Sequence, residues 1–380
     1  MKRKVSFIVV VCFILIGFIG ATATAEEKKE GNKEVYRLNL KVLPNDPVQI
    51  IEPFDNSIHY EDTASVVIQI DPQQVKHLEM ITYFQVFELD PDEEIIYKKE
   101  KRKAKKRKEK FRFKLKSDKA FYCKSIDLRY GKNLIQVIAR TKDNKVIKKS
   151  VEIYLASPIL RAYKYPPPKY KELFFHTDKN EKVCAQCHDM TVNEKKGVAF
   201  EDVTKSNCYV CHKKLTTRYE YNHAPARNWL CATTCHTGKT GRLNKRLEGK
   251  SKFIWPEPQG PECYRCHKEK REEWDRKRFH HDPVVAGMCD KCHNPHASPN
   301  RYFLRKPSWY LCTTCHEDKV LRGHVVFTFL GRPHPTRGYK DPSNPKRELS
   351  CISCHEAHNS DNNFMLLKPF NQLCNMCHKK

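Results

Sequence analysis

The chain of 380 residues has few long apolar runs: after residue 20, none is long enough to cross a bilayer. Acidic residues are also scarce, with 45 Asp and Glu against 71 Lys and Arg, which gives a formal net charge of +26. Cysteine outside one recurring motif is almost absent, since only Cys12 and Cys123 stand apart. These absences exclude a multi-spanning membrane protein and leave too few spare cysteines for a disulfide scaffold.

The N-terminus has the pattern of a secretory signal. The basic residues Lys2 to Lys4 precede an apolar run and the small-residue stretch Ala21 to Ala25, so we expect a signal peptide over 1–25 that is cleaved after Ala25. The alternative is an uncleaved anchor. Cys12 falls inside the apolar run. Cys123 is then the one spare cysteine of the exported chain; we expect a buried free thiol there, with an intermolecular disulfide as the alternative.

The recurring motif is Cys-x-x-Cys-His, the attachment site of a c-type haem. Two thiols spaced by two residues can add to the two vinyl groups on one porphyrin edge, and the following His reaches the iron from the same side. Cys231-Ala-Thr-Thr-Cys235-His236 carries one extra residue and is interpreted as a variant of the same site. The eight motifs are Cys184/Cys187/His188, Cys208/Cys211/His212, Cys231/Cys235/His236, Cys263/Cys266/His267, Cys289/Cys292/His293, Cys312/Cys315/His316, Cys351/Cys354/His355 and Cys374/Cys377/His378.

Structural zinc is the main alternative for paired cysteines. Tetrahedral zinc geometry does not require a His directly after every second Cys, yet here a His follows eight times out of eight. A disulfide framework would not predict that His either. The pattern therefore predicts eight covalently bound c-type haems, with the motif histidines as proximal iron ligands.

Two of the motif pairs form an internal repeat. Residues 289–316 match residues 351–378 without a gap, at both Cys-x-x-Cys-His groups and at further positions. The further matches are His296/His358, Ser298/Ser360, Asn300/Asn362, Leu304/Leu366, Lys306/Lys368, Pro307/Pro369 and Leu311/Leu373.

The basic charge alone would suggest nucleic-acid binding. Removal of the signal lowers the formal charge by the three residues Lys2, Arg3 and Lys4, to +23. Each ferric haem with two ionised propionates adds about −1, so eight haems bring the total to around +15, and cofactor charge belongs in the balance. Much of the Lys and Arg excess is expected to meet propionates. No nucleic-acid motif accompanies it, so nucleic acid is excluded as a partner.

The segment before the motifs reads as a β domain over 26–158. β-branched and aromatic residues alternate with polar ones and are separated by turn residues, as in half-buried strands. Asp143-Asn144 is expected at the turn of the last hairpin. Residues 130–155 resemble the last two strands of bacterial immunoglobulin-like or fibronectin-like domains, which implies an antiparallel β-sandwich. The expected strands are 35–42, 65–70, 81–87, 111–115, 133–139 and 146–154.

Two further segments are predicted, a basic loop within this domain and a linker after it. Residues 98–110 hold ten basic and two acidic residues, so we expect a solvated loop that could dock on an anionic surface. Residues 159–175, with Pro166 to Pro168, are expected to form a stiff linker. Residues 176–380 then form the octahaem cytochrome domain. Its share of about 25 residues per haem is too small for a conventional core, so we expect short helices and loops around stacked porphyrins.

The remaining histidines bear on the second iron ligand. His59 and His77 lie in the β domain and are interpreted as ordinary polar residues. A full set of bis-His irons suits electron transfer, because it leaves no open coordination site. His280 and His281 are adjacent, so the alternative is that only one of them ligates and one haem stands apart. The eight distal candidates are His176, His223, His280, His281, His296, His324, His334 and His358. His296 and His358 are each expected to serve a haem other than that of their own motif.

Residues 176–378 resemble multihaem c-type cytochromes with the doubled Cys-x-x-Cys-His motif. The resemblance rests on His281-Asp-Pro-Val284 with Gly287, and on His296 and His358 three residues after a motif His. It is close over 280–316 and 324–378 and looser over 176–267, where Thr191 takes the place of the extra His. It implies an electron carrier or conduit at the periplasm or cell surface, with redox proteins or an extracellular acceptor as partners and self-assembly in some members. The alternative function is a reductase of nitrogen or sulfur oxyanions with one open haem, so the sequence leaves open whether the protein is an enzyme.

Overall fold

The computed structural model describes residues 46–84, 108–321, 324–328 and 330–378, all within one compact unit, Arg37–Lys380. Its first part is rich in antiparallel sheet. One sheet has three strands in the order β1-β3-β6, and the other has five in the order β2-β8-β7-β4-β5. The strands are β1 Val48–Glu52, β2 Ile58–His59, β3 Thr63–Ile70, β4 Val75–Phe84, β5 Lys108–Arg112, β6 Phe121–Asp127, β7 Gly131–Thr141 and β8 Val146–Leu155.

The two sheets share one hydrophobic core, because apolar residues alternate along their strands. In β7 every second residue from Gly131 to Thr141 is buried, as the two-residue period of a strand requires. Ile68 of the small sheet and Ile135 and Ile153 of the large sheet belong to the same buried cluster and are fully inaccessible. The β-rich character predicted for this region is thus confirmed, whereas the immunoglobulin-like topology stays a prediction.

The individual strand predictions have mixed outcomes. The hairpin is confirmed: β7 and β8 pair antiparallel, the amide of Thr141 donates to the carbonyl of Lys145, and Asn144 has φ +67°. Strands β1, β2 and β6 were missed. The predicted strand 35–42, the end of 81–87 and residues 98–107 of the basic loop lie outside the described residues, as does the signal segment. Residues 108–110 belong to β5.

The prediction of a buried thiol at Cys123 is wrong, because its side chain is exposed. Cys123 lies in β6 opposite Val67 of β3, and Val67 in turn lies opposite Glu52 of β1. Residues paired across strands share one face of a sheet, so these three form a row on the face away from the core.

The second part of the chain consists of short elements joined by loops, as predicted. The helices are α1 Arg161–Lys164, α2 Asp178–Cys184, α3 Tyr209–His212, α4 Lys214–Thr217, α5 Ala224–Arg227, α6 Cys231–Thr234, α7 Gly260–Cys263, α8 Lys268–Asp275, α9 Asp282–Val285, α10 Ser308–Thr313, α11 Asp318–Leu321 and α12 Phe370–Leu373. Single 3₁₀ turns cover Val203–Lys205, Lys245–Leu247, Cys289–Lys291, Arg301–Phe303, Cys351–Ser353, Asn363–Met365 and Cys374–Met376. The strands are β9 Tyr221–Asn222, β10 Phe279–His280, β11 Ala297–Ser298, β12 Lys340–Asp341, β13 Asn344–Glu348 and β14 Asn359–Ser360. No helix in the described ranges is long and apolar enough to cross a membrane.

The segment 159–175 packs against the sheets. The ring of Tyr163 stacks on Tyr130 with centroids 6.0 Å apart, and Tyr170 is buried against Tyr154 at 5.0 Å. The amide of Lys171 also donates to the carbonyl of Asn56 at 2.8 Å. These contacts anchor the Pro-rich segment to the β-rich region.

The β-rich region also contacts the motif region directly. The Ser65 hydroxyl donates to the carbonyl of Cys211 at 2.7 Å. The Asp62 carboxylate accepts from the hydroxyl of Tyr219 at 2.7 Å and lies 2.8 Å from an Arg218 guanidinium nitrogen. Ser65 stands on the same outer face as Cys123, because it pairs with Ser125 two residues along β6. The outer face of the small sheet is therefore where the first motifs sit.

Candidate haem sites

All eight motifs close the same backbone turn. In each regular motif the amide of the His donates to the carbonyl of the first Cys, as from His212 to Cys208 at 3.0 Å and from His355 to Cys351 at 2.9 Å. In the variant motif the amide of His236 donates to the carbonyl of Cys231 at 2.8 Å, one residue further away along the chain. The extra residue is thus absorbed by a wider turn, and the two cysteines and the His keep the arrangement of the regular motifs.

The histidine rings meet in pairs. In the part of the chain that the structure describes, which includes all eighteen histidines, seven motif histidines face one distal candidate each. The ring centroids are 6.0 Å apart in His212–His176, 5.9 Å in His236–His296, 6.2 Å in His267–His223, 6.2 Å in His293–His358, 6.3 Å in His316–His281, 6.3 Å in His355–His324 and 6.1 Å in His378–His334.

This spacing fits an iron held between two imidazoles. A metal–imidazole nitrogen bond of about 2.0 Å on each face of the porphyrin places the two ring centroids roughly 6 Å apart. The residues present therefore fit haem iron, with a motif His on one face and a distal His on the other.

Backbone carbonyls orient several of these rings. The Nδ1 of His293 lies 2.7 Å from the carbonyl oxygen of Tyr302, and that of His236 lies 3.0 Å from the carbonyl oxygen of Phe253. The distal His223 and His281 are 3.0 and 2.9 Å from the carbonyl oxygens of Pro295 and Ala357. An Nδ1–H donated to a carbonyl fixes the tautomer in which Nε2 is free to bind a metal.

Three distal histidines meet a carboxylate instead. The Nδ1 of His176 is 3.0 Å from the buried carboxylate of Glu181. The Nδ1 of His358 is 3.3 Å from the Glu356 carboxylate of its own loop. The Nδ1 of His296 is 3.4 Å from the carboxylate of Glu61, an ion-pair distance without hydrogen-bond geometry. Burial would raise the pKa of Glu61, but His296 holds that pKa below its usual range. Because Glu61 precedes β3, the β-rich region supplies a partner to a distal ligand of the motif region.

The structure explains the repeated residues at 289–316 and 351–378. In both copies the side-chain amide of the Asn, 300 or 362, donates to the Leu carbonyl, 304 or 366, at 3.0 Å. The backbone between them is left-handed at Tyr302 and at Phe364, both with φ +58°. This loop aims the carbonyl oxygen of Tyr302 or Phe364 at the Nδ1 of the motif His. The recurring polar residues thus orient the motif histidines.

A further copy of the distal-His segment, not predicted from the sequence, begins at His223. His223-Ala-Pro precedes Cys231 by eight residues, as His281-Asp-Pro precedes Cys289. Both segments form a short helix and pair with a repeat loop: the amide of His223 donates to the carbonyl of His296 at 3.0 Å, and that of His281 to the carbonyl of His358 at 3.0 Å. The signal was the His-x-Pro spacing, which the variant Cys231 motif obscured.

Consecutive motifs are neighbours through their cysteines. The sulfurs of Cys208 and Cys231 lie within 4.8 Å of each other. Contact with the thiol of Cys208 raises the pKa of Cys231. The thiol of Cys289 raises the pKa of Cys263 in the same way, and that of Cys351 raises the pKa of Cys312. In the haem-loaded chain these sulfurs are thioethers and do not titrate, so the shifts mark proximity alone.

The second cysteines continue the series. Burial raises the pKa of Cys292, and the next contribution comes from Cys315; Cys354 is affected in the same way by burial and Cys377. Burial and then Glu262 raise the pKa of Cys235, with a further contribution from Cys266. Burial, Cys123 and then Cys184 raise that of Cys211. Each motif thus lies beside the next one along the sequence.

Two histidines stay outside these pairs. The ring of His188 is exposed and makes no ring contact or side-chain hydrogen bond within the described residues. His280 is also exposed; its backbone pairs with Asn359 in β14, while the adjacent His281 faces His316. Of the two neighbouring candidates, the structure brings only His281 to a motif His.

Comparison with known families gives one match. The model of the "Doubled CXXCH motif" family matches residues 281–321 and 344–380, which include the internal repeat. No curated protein matches the chain.

Solved structures overlap the chain over less than a third of its length. Superoxide reductase (neelaredoxin) from Ignicoccus hospitalis is 8% identical, over 29% of this chain and 79% of that one, with a TM-score of 0.21. CopC from Methylosinus trichosporium OB3b is 7% identical, over 29% and 95%, with a TM-score of 0.21. An engineered protein is 12% identical, and the match spans 21% of its length and 30% of this chain, with a TM-score of 0.21. Scores this low carry no argument. The doubled motifs, in contrast, indicate covalently bound haem iron and support the conclusion that the chain is a multihaem c-type cytochrome.

Proposed function

We propose that this chain conducts electrons through eight covalently bound c-type haems arranged in the order of the sequence. The observation that carries the proposal is the proximity of consecutive motifs: the sulfurs of Cys208 and Cys231 lie within 4.8 Å of each other, and at each of the other junctions a cysteine of one motif raises the pKa of a cysteine in the next or previous one. Cysteines at one porphyrin edge bring neighbouring cofactors close when they themselves are close. An unbroken series is what electron hopping over the length of the region requires.

The ring pairs support a transfer role at seven of the motifs. With one imidazole on each face, the described histidines leave no coordination site for a substrate there. Haem iron held in this way supplies one-electron oxidation and reduction. The chain's own part is to hold the rings, through carbonyls such as that of Tyr302, and to fix the spacing between motifs.

The compartment and partners follow from the same proposal. c-Type cytochromes are typically exported, and the signal-like residues 1–25 agree with a periplasmic or cell-surface location. We propose a redox protein or an extracellular acceptor as the electron partner. The basic residues 98–110 could add contact with an anionic surface, and self-assembly is a further way to extend the conduit.

A second candidate function is a reductase of nitrogen or sulfur oxyanions. The observation that favours it is the ring of His188, which has no histidine opposite it among the described residues. A reductase needs one iron with an open position, and this motif is where the chain could provide one.

Mass spectrometry and ligand variants test the proposal. Denaturing mass spectrometry should give the chain from Glu26 plus eight haems, and seven haems without a modified Cys231/Cys235 peptide would remove the variant site. His296→Ala should open the iron held by His236, and His358→Ala the iron held by His293. Each variant should convert about one seventh of the ferric low-spin EPR intensity to high spin, because one of the seven paired irons loses an axial ligand.

His280→Ala is the matched control, since His280 also lies beside a distal ligand but faces no motif His. It should leave the spectrum unchanged. A fully low-spin spectrum in His296→Ala or His358→Ala would contradict the pairing. Rapid turnover of nitrite, hydroxylamine or tetrathionate by the unmodified protein would favour the reductase.

A further inference from the structure

The histidines of the chain leave one motif without a partner. All eighteen lie in the described residues; fourteen form the seven pairs, and His59 and His77 are engaged with Ser57 at 3.0 Å and Glu79 at 3.5 Å in the β-rich region. His188 and His280 remain, both exposed and without a ring contact to each other. The first motif is therefore the one whose distal face no histidine of the same chain covers.

The first motif also has surroundings unlike those of the others. The adjoining second motif meets the outer face of the small sheet, where the Ser65 hydroxyl donates to the carbonyl of Cys211 at 2.7 Å. Burial raises the pKa of Cys184, and the next two contributions come from Glu52 and Cys123, which places both side chains near that cysteine. Oε2 of Glu52 is buried without a hydrogen-bond partner in the described residues. A buried acceptor without a partner thus lies near Cys184, in the motif whose His faces no other histidine.

Cys123, which contributes to the pKa of Cys184, also lines a cationic groove. The groove has a volume of about 460 Å³ and lies between the edge strands β5 and β6. Its charged lining is wholly basic, from Lys110, Arg112, Lys114, Lys119 and Lys124. Lys110 also pairs with Glu79 at 2.8 Å, but Arg112 and Lys114 are exposed and make no side-chain contact with an acid within the described residues. Clefts lined by one sign of charge concentrate ligands of the opposite sign.

We infer that the first motif is a ligand-binding site, in which a small anion reaches the position opposite His188 through the basic groove. This inference rests on the proposed haem at Cys184 and Cys187. In this inference the other seven motifs transfer electrons, and the first motif binds and releases a ligand from solvent. An oxyanion or another small anionic acceptor is the chemical class that the groove favours.

Ligand titration of the intact haem-loaded protein tests the inference. The reduced protein should bind about one carbon monoxide per chain, and the oxidised protein about one azide, both followed by difference spectra. Cys184→Ser/Cys187→Ser should abolish both, while mass spectrometry shows the loss of a single haem. No binding by the unmodified protein, or binding that persists in this variant, would overturn the inference.

The groove is tested separately, because the double-cysteine variant could fail to fold. Arg112→Gln/Lys114→Gln should weaken azide binding roughly three- to tenfold and leave the uncharged carbon monoxide unaffected, since removal of two nearby charges lowers the local attraction for anions. Lys340→Gln/Lys346→Gln, at exposed positions of β12 and β13, is the charge-matched control. Equal azide affinity in both double variants would overturn the role of the groove.

Further variants separate this inference from the proposed function. If the unmodified protein carries eight haems and binds neither ligand, the conduit stands and the open site is wrong. Carbon monoxide binding gained in Cys123→Ser would then identify the thiol as the distal ligand, and a gain in His280→Ala would identify a histidine of a second copy. An unmodified Cys184/Cys187 peptide would instead contradict the haem count on which the proposed function depends.

Discussion

The two parts of the chain bury very different amounts of their own apolar surface. Among the described residues, 46–157 contain 21 buried apolar side chains, whereas 176–378 contain seven, although the second range is longer. The buried clusters that join several elements all involve the sheets. Side chains stabilise the first part, and the second part has too little core of its own to be stable without its cofactors. One chain thus combines a region whose interior consists of side chains with a region whose interior depends on its cofactors.

The comparison also shows where the two parts depend on each other. Glu61 leaves the β-rich region to meet His296, and Asp62 next to it meets Arg218 and Tyr219. Asp127 on β6 pairs with Lys214 at 2.7 Å. The β-rich region, which has its own hydrophobic core, thus helps to position the distal histidine ligands of the motif region.

The largest expected effect is loss of the motif region when haem is withheld. If the full chain is produced without haem attachment, residues 176–380 should not fold, because about seven buried apolar residues cannot offset the conformational entropy of some 200. The β-rich region should remain folded. Limited proteolysis followed by mass spectrometry should leave a fragment that ends near residue 175, because segment 159–175 packs against the sheets, whereas the haem-loaded chain should resist cleavage. A protected fragment that contains the motifs would contradict the cofactor-core account.

The next effect is a core truncation confined to the sheets. Ile135 is fully buried, so Ile135→Ala should lower the free energy of unfolding by about 2–5 kcal/mol. The measurement is urea unfolding followed by circular dichroism, with the haem absorbance recorded in parallel. Ile138→Ala on the half-buried side of the same strand is the control and should cost clearly less. An altered haem spectrum in Ile135→Ala would show that the two interiors are not independent.

A smaller effect is expected from pH, through Glu52. Burial raises the pKa of Glu52 from 4.5 to about 8. The folded chain therefore binds a proton that the unfolded chain has released, so stability is greatest below about pH 4.5 and falls as the pH rises toward 8. Glu52→Gln should remove this pH dependence. Between pH 5 and pH 8 the unmodified protein should lose free energy of unfolding, on the order of a few kcal/mol, that the variant keeps. Glu109→Gln on exposed β5 is the control, and an equal pH slope in both variants would contradict the assignment.

How far the sequence predicts the molecule differs between the two parts. Apolar and polar residues alternate along β7 and β8, and Asp143-Asn144 is a turn sequence. Together they predict the hairpin, because neighbouring residues alone determine this element. β6 was missed because Phe121 to Asp127 has no clear alternation, and with it the exposure of Cys123. In the motif region the spacing of Cys and His predicts each site, since the chemistry is local. Which distal His faces which motif His depends on distant loop contacts, such as that between His223 and His296, and spacing does not encode them.

The smallest expected effect is a shift of haem potential through the carboxylates next to the distal histidines His296 and His358. A carboxylate next to Nδ1 makes the imidazole a stronger donor and favours the oxidised iron, so its removal should raise the potential. Glu61→Gln should raise the potential of the haem held by His296 by an amount on the order of tens of mV, measured by spectroelectrochemistry. Glu356→Gln is the matched variant within the motif region, since it removes the carboxylate from His358 at nearly the same distance. If only Glu356→Gln shifts a potential, Glu61 merely packs against the motif region, and the β-rich region is a support and not part of a haem site. Equal shifts would show that the region with its own core also tunes the region without one.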